Sequence, residues 1–165
     1  MILHGVDTQV FHPSPDRAAL RRELDIPADA VVLGCFGRVR ARGRGPAGRI
    51  RAAPVSRPPR AHLILTGRIT PDNRSFADDL KARIRDAGLE GRIRFLGEIP
   101  WDQVVRHYQA LDLFCAPARW EGFGLTPLEA MACGVPTVAS RVGASEALIR
   151  DGKPDRWSRP AMPMR

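Results

Sequence analysis

Short unbroken apolar runs alternate along this chain with stretches whose apolar residues recur every three or four positions. Val31-Val32-Leu33-Gly34-Cys35-Phe36 is one such run, and Leu63-Ile64-Leu65-Thr66-Gly67 repeats its form. Arg92-Ile93-Arg94-Phe95-Leu96-Gly97, Leu113-Phe114-Cys115-Ala116 and Val135 to Ala139 follow. Runs of this length predict strands buried on both faces. Between them, Phe76, Leu80 and Ile84 recur every fourth residue, with Ser75 as a candidate cap and Gly88 as a candidate stop, which predicts an amphipathic helix. Trp101, Val104, Val105 and Tyr108 share one face of a second helix. Asp16 to Leu24 reads as a short helix capped by Ser14 or Asp16, and another lies near Pro127 to Cys133. Alternating strands and helices imply parallel pairing. The predicted fold is α/β, a doubly wound, Rossmann-like parallel sheet that takes ligands at the carboxyl ends of its strands.

Residues 41–60 interrupt this pattern. A crossover helix is needed between the strands at 31–36 and 62–66. The segment has the length for one, but it carries four prolines, three glycines and no helical apolar period. Such a composition does not favour an ordered helix. Residues 153–165 have the same character. Without that helix, apolar sheet surface beside Val32 and Leu63 is expected to stay wet. At ~25 cal/mol per Å2, roughly a few hundred Å2 would forfeit several kcal/mol, comparable with a domain's whole margin of ~5–15 kcal/mol.

Composition narrows the classes. The 165 residues suit one domain with a sizeable core. No apolar run approaches the ~20 residues of a membrane span, and Met1-Ile2-Leu3-His4-Gly5 does not open a signal peptide. Cys35, Cys115 and Cys133 form no CxxC pair and lie in apolar stretches, so buried reduced thiols and a cytoplasmic setting are expected. The net charge of +8 would ordinarily point to nucleic acid or an anionic membrane. However, residues 41–60 hold six arginines and no acid, and residues 151–165 carry +2, so the rest of the chain is neutral. The arginine run has no interleaved aromatics, which argues against a nucleic-acid arm. His4, His12, His62 and His107 have no metal-ligand spacing.

The chemistry concentrates between Arg119 and Pro136. Glu121 and Glu129 are separated by seven residues, with Gly122-Phe123-Gly124 between them and a helix expected to follow. Free backbone N–H groups at a helix start attract an anion, and the flanking carboxylates accept hydrogen bonds from hydroxyls. Anion plus polyol on one element suggests a sugar nucleotide. Taken alone, such a carboxylate pair is more often structural. Arg38 alone would more often be a surface residue, but at the end of a strand it becomes a phosphate candidate. Trp120, Phe123 and Phe114 read as core or pocket wall.

With these residues in place, the chain resembles the C-terminal, donor-binding domain of GT-B glycosyltransferases, in family 4 of the retaining enzymes. The matching pieces are Gly5-Val6-Asp7, Phe36-Gly37-Arg38, Phe95-Leu96-Gly97, Tyr108-Gln109-Ala110-Leu111-Asp112-Leu113-Phe114 and the block from Glu121 to Pro136. They span residues 1–40 and 61–152. The wording around Trp120 to Pro127 is most similar to bacterial lipopolysaccharide-core mannosyltransferases. The resemblance implies that Glu121 contacts the donor sugar near its anomeric carbon and that Glu129 binds the ribose hydroxyls. It also implies that the N–H groups of Gly122, Phe123 and Gly124 face the sugar. Those of Leu125 and Thr126 hold the diphosphate, and Arg38, after Gly37, neutralises the leaving group. Phe95, Leu96 and Gly97 lie beside the base. Neither a metal nor a cofactor is implied, and GDP-mannose is the expected donor.

Two departures qualify the implied activity. Gly43 or Arg44 stands where the family carries a Lys of its phosphate grip, and Arg does not replace Lys there in kind. The resemblance also implies that this sequence opens at the interdomain linker, and it is expected to lack the N-terminal acceptor domain and the closing helices. The expected organisation is a nucleotide-sugar-binding domain over 1–152 with an aberrant insert at 41–60, then an aberrant tail at 153–165. We hypothesise that both odd segments are translated out of frame. Shifting the frame by one nucleotide permits family-like text in each, and sequencing the gene tests it. The expected function is retaining sugar transfer from a nucleotide sugar to a glycan or lipopolysaccharide-core acceptor, with this chain carrying the donor half and inactive alone. No nucleic-acid partner is expected; a peripheral contact with the inner membrane is expected of the full-length enzyme. The alternative is a non-catalytic or decayed nucleotide-sugar-binding fragment without turnover.

Overall fold

A computed structural model describes residues 5–37, 60–118, 121–143 and 145. The apolar runs become β1 (Val31–Phe36), β2 (Ala61–Thr66), β3 (Ile93–Gly97), β4 (Leu113–Ala116) and β5 (Thr137–Ala139). The periodic stretches become α1 (Arg17–Glu23), α2 (Arg74–Asp86), α3 (Trp101–Gln109) and α4 (Leu125–Ala132). All neighbouring strands pair in parallel, in the order β3-β2-β1-β4-β5. The order reverses between β1 and β4, which is the switch point of a doubly wound sheet. The predicted fold class is therefore observed.

Strand side chains alternate between faces. Val32, Phe36, Ile64 and Phe114 enter one apolar cluster with Leu20 of α1, Tyr108 of α3 and Ala130 of α4. Cys35, Leu63, Leu65 and Ile93 enter a second, closed by Leu80 and Ile84 of α2 and by Leu89. The expectation of wet sheet surface is overturned here: Val32 is 0% exposed and Leu63 4%. The first cluster covers Val32 and the α2 cluster covers Leu63.

Other local expectations are met or corrected. Asp16 caps α1 by accepting the Ala19 N–H at 2.8 Å. Ser75 caps nothing, because a 3-10 turn over Pro71–Asn73 feeds α2 and places Ser75 inside the helix. The fourth helix begins at Leu125 rather than Pro127; a proline in the first turn has no N–H to leave unpaired. Trp101 is 68% exposed and meets Phe11 edge-on at 5.8 Å. Cys35 and Cys133 are buried, Cys115 is half-buried, and all three are free. Residues 41–59 of the Arg-rich insert and the tail 153–165 lie outside the described residues. Among the described residues no helix is long and apolar enough to cross a membrane.

One carboxylate ties the amino edge of the sheet together. Asp112, just before β4, accepts the Val32 N–H at 2.7 Å, Arg21 Nη2 at 2.6 Å and Arg17 Nη2 at 2.7 Å. Both arginines also donate to the Ala110 carbonyl. Burial pushes the Asp112 carboxyl up, but the Val32 N–H and the two guanidiniums outweigh it and hold the group below its usual 3.8. A depressed carboxyl stabilises the fold above the unfolded pKa, and the gain is lost as pH falls through the folded one. Asp112→Asn should therefore destabilise the chain at pH 7 by roughly 2 kcal/mol, because these are charge-assisted bonds, partly exposed. The gap in denaturant midpoint should narrow as pH falls below about 4. A gap that is independent of pH would contradict this role.

Candidate functional site

The carboxyl edge of the sheet is an open rim. Gly37, after β1, donates its N–H to the Thr66 carbonyl at 3.1 Å, and Gly67, after β2, donates to the Gly97 carbonyl at 2.7 Å. A Cβ at Gly37, Gly97 or Gly122 would meet nothing within 4 Å. The β2–β3 register passes from Leu65↔Phe95 to Thr66↔Gly97, so Leu96 is bulged out of the ladder and is exposed. Phe95 turns the other way. It packs against the second cluster, and Lys81 Nζ lies 5.4 Å from its ring centroid.

The loop after β4 faces the same edge. Gly124 sits at φ +86° as the residue preceding α4, a left-handed conformation that glycine adopts without a Cβ clash. Among the described residues no side chain caps the first N–H groups of α4 from its N-cap, Gly124, and its first turn holds no acid. Those donors and the positive end of the helix dipole remain available to an anion. Glu121 is exposed, and its Oε1 accepts the Gly122 N–H at 3.2 Å. Phe123 and Thr126 are half-buried, and Leu125 is exposed. Behind the loop, Gly143 has φ +60°, and a Cβ there would stand 2.5 Å from the Glu121 carbonyl oxygen and 2.8 Å from that of Gly122. The turn after β5 thus presses backbone on backbone to hold the glycine loop.

Glu129 lies one turn into α4, half-buried, where its Oε2 accepts the Tyr108 hydroxyl at 2.6 Å. Among the described residues its Oε1 takes no partner. Burial pushes the Glu129 carboxyl above its usual 4.5, and the Tyr108 bond partly opposes this. Burial, then the charge and hydrogen bond of Glu129, push the Tyr108 phenol far above the ordinary range. Burial and the Glu129 charge push the Cys133 thiol up to about 12.

The structure therefore gathers Gly37, Leu96, Gly97, Gly122, Phe123, Gly124, Leu125 and Thr126 on one edge, with Glu121 and Glu129 on the loop and helix beside them. Arg38 and Trp120 lie outside the described residues. The sequence reading put Tyr108 on an apolar helix face and gave its hydroxyl no partner. The signal was a tyrosine among aliphatic positions, since a buried hydroxyl needs an acceptor. Gly143 left no such signal. Among the described residues no three His, Cys, Asp or Glu side chains cluster to hold a metal ion. A cavity of about 610 Å3 does exist, but at the opposite, amino edge, lined by Arg22, Asp25, His62, Glu90 and Arg94 among others. It lies away from the strand ends that bind ligands in doubly wound sheets, and its Arg94 already donates to the Leu24 and Asp25 carbonyls.

Residues 16–161 match the model of the family described as glycosyl transferases group 1. The chain belongs to that family. Its relatives include the lipopolysaccharide core biosynthesis mannosyltransferase LpsB of Rhizobium meliloti (strain 1021), 44% identical over 153 residues, or 92% of this chain. The chain spans 43% of that protein's length. Among solved structures, the C-terminal domain of the group 1 glycosyl transferase LpcC from Francisella tularensis superposes with a TM-score of 0.82 at 34% identity, covering 94% of this chain and 80% of that one. Anabaena HepE, solved with UDP and glucose, gives 0.82 at 30% identity over 95% of this chain and 42% of its own. The resemblance to C-terminal GT-B domains, and to lipopolysaccharide-core mannosyltransferases in particular, is thereby borne out.

Gly143→Ala tests how the group 1 loop is held. The added Cβ cannot share space with two carbonyl oxygens, and a left-handed alanine alone costs ~1–2 kcal/mol. We expect a stability loss of at least that size, and faster amide hydrogen exchange over residues 121–126. Unchanged exchange there would show that the turn after β5 does not support the loop.

Proposed function

We propose that this chain is the nucleotide-sugar-binding half of a retaining glycosyltransferase, with GDP-mannose as donor and a glycan or lipopolysaccharide-core acceptor. The observation that carries the reading is the uncapped start of α4 at the switch point, with the Glu129 carboxylate one turn behind it. A diphosphate accepts the N–H groups of Leu125 and Thr126, and the ribose hydroxyls reach Glu129. Glu121 and the N–H groups of Phe123 and Gly124 meet the sugar, the Gly122 N–H joins them once it leaves Glu121 Oε1, and Leu96 and Gly97 border the base. The backbone of Phe95 belongs to that border, while its ring belongs to the core. Arg38, next in sequence after Gly37, takes the charge that builds on the diphosphate as the glycosidic bond loosens. Fixed donors aimed at developing charge lower the barrier most. No step in this reading uses a metal or cofactor.

The acceptor side is assigned to sequence that the longer relatives carry beyond the matched region. The 165-residue chain should therefore bind the donor and not transfer it. Measurable mannosyl transfer by this chain alone would sink the half-site reading. An absence of nucleotide-sugar binding would contradict this reading and the alternative of a non-catalytic binding fragment alike.

The Glu129 carboxyl gives the binding a pH signature. The ionised form accepts the ribose hydroxyls, and burial has raised its pKa. GDP-mannose affinity should fall as pH is lowered through that value, at a higher pH than an exposed glutamate would show. The sugar diphosphate is a diester and does not titrate in this range. Glu129→Gln should remove the part of the pH dependence that lies above the ordinary glutamate range and weaken binding about tenfold or more, the worth of a charge-assisted hydrogen bond. Calorimetric titration between pH 4 and 8 measures both effects. A pH profile that is the same in both proteins would remove Glu129 from the site.

A further inference from the structure

We infer that Tyr108 is a positioning residue that sets the orientation of Glu129 and thereby the preference for ribose over deoxyribose. The inference rests on the reading of Glu129 as the ribose acceptor. Tyr108 is 1% exposed, and its hydroxyl lies 2.6 Å from Glu129 Oε2. Its ring is clamped by Phe36 at 4.6 Å, Phe114 at 5.5 Å and Phe11 at 6.0 Å between centroids. Phe36 closes β1 and Phe114 lies in β4, so the phenol is referenced to both strands of the switch point.

The consequence is geometric. A glutamate side chain has three rotatable torsions, and a ligand that must fix them itself loses affinity. Here the tyrosine has already fixed them, because the rigid ring holds one carboxylate oxygen in place. The second oxygen, Oε1, keeps its lone pairs free among the described residues. A vicinal diol offers two hydroxyl donors to that oxygen. A deoxyribose offers fewer and leaves part of the half-buried carboxylate unpaired, which is how a polar site rejects an analogue lacking a hydroxyl.

Tyr108→Phe removes one oxygen and keeps the ring in its aromatic clamp. The probes are GDP and UDP, each paired with its 2′,3′-dideoxy counterpart, titrated into the purified chain and its variants. In Tyr108→Phe, affinity for the ribonucleotide should fall by about three- to tenfold, the range of one hydrogen bond. Affinity for the dideoxynucleotide should stay unchanged, so the ratio between them falls by the same factor. In Glu129→Ala the ratio should collapse to about one. If Glu129→Ala keeps the ratio, or the unaltered chain binds neither nucleotide, the underlying reading of Glu129 fails. If Glu129→Ala loses the ratio while Tyr108→Phe keeps it, whether or not both affinities drop equally, Tyr108 does not position the carboxylate.

A second measurement does not depend on a mutation. Tyr108 is the one tyrosine of the chain, so biosynthetic 3-fluorotyrosine labels this position alone. Its fluorine resonance should shift on saturation with the ribonucleotide and stay in place with the dideoxy analogue. A resonance that ignores the bound ribonucleotide, or moves equally with both, overturns the inference.

Discussion

The site depends on where β1 and β4 part company, and Asp112 fixes that point. Its carboxylate receives the first N–H of the buried part of β1 and both guanidiniums of α1, while its own N–H donates back to Val32. A parallel sheet has no hairpin to set its register, which rests on the buried apolar pattern, and Asp112 pins it further at the strand ends. With the amino edge tied, Gly37 and the loop after β4 emerge side by side at the carboxyl edge. The crevice of a doubly wound sheet lies there because successive connections leave in opposite directions.

Function at that edge runs against local stability. Gly124 and Gly143 occupy left-handed backbone, α4 starts without a cap, and Glu129 is held partly buried with its carboxyl pushed up. The glycines fit their left-handed backbone without a clash, whereas on the proposed reading an anionic polyol would satisfy the first donors of α4 and the partly buried Glu129. The compensation is spread through the interior: two apolar clusters on opposite faces of the sheet, and four aromatic rings packed behind Glu129.

Much of this was legible in the sequence. The unbroken apolar runs gave the strands, because buried parallel strands have no polar face, and their alternation with helices gave the topology. The glycines around Phe123 marked the loop that leads into α4. Three things were less legible. Helix starts depend on which backbone donors find partners, so α2 began before Ser75 and α4 before Pro127. The fate of Val32 and Leu63 depended on packing by other elements, among them Leu20 of α1 in the first cluster and Leu80 and Ile84 of α2 in the second. The Tyr108–Glu129 bond joins positions 21 residues apart on different helices, and no local pattern encodes it.

Two edges of the sheet offer candidate binding surfaces, the glycine-rich carboxyl edge and the cavity at the amino edge. Backbone amide shifts of the isotope-labelled chain, followed during titration with GDP-mannose, compare them directly. The account predicts perturbations centred on Gly37, Gly97 and residues 122–129, with Arg22, His62, Glu90 and Arg94 unmoved. Perturbations centred on the amino-edge cavity, with the glycine loop unmoved, would contradict it.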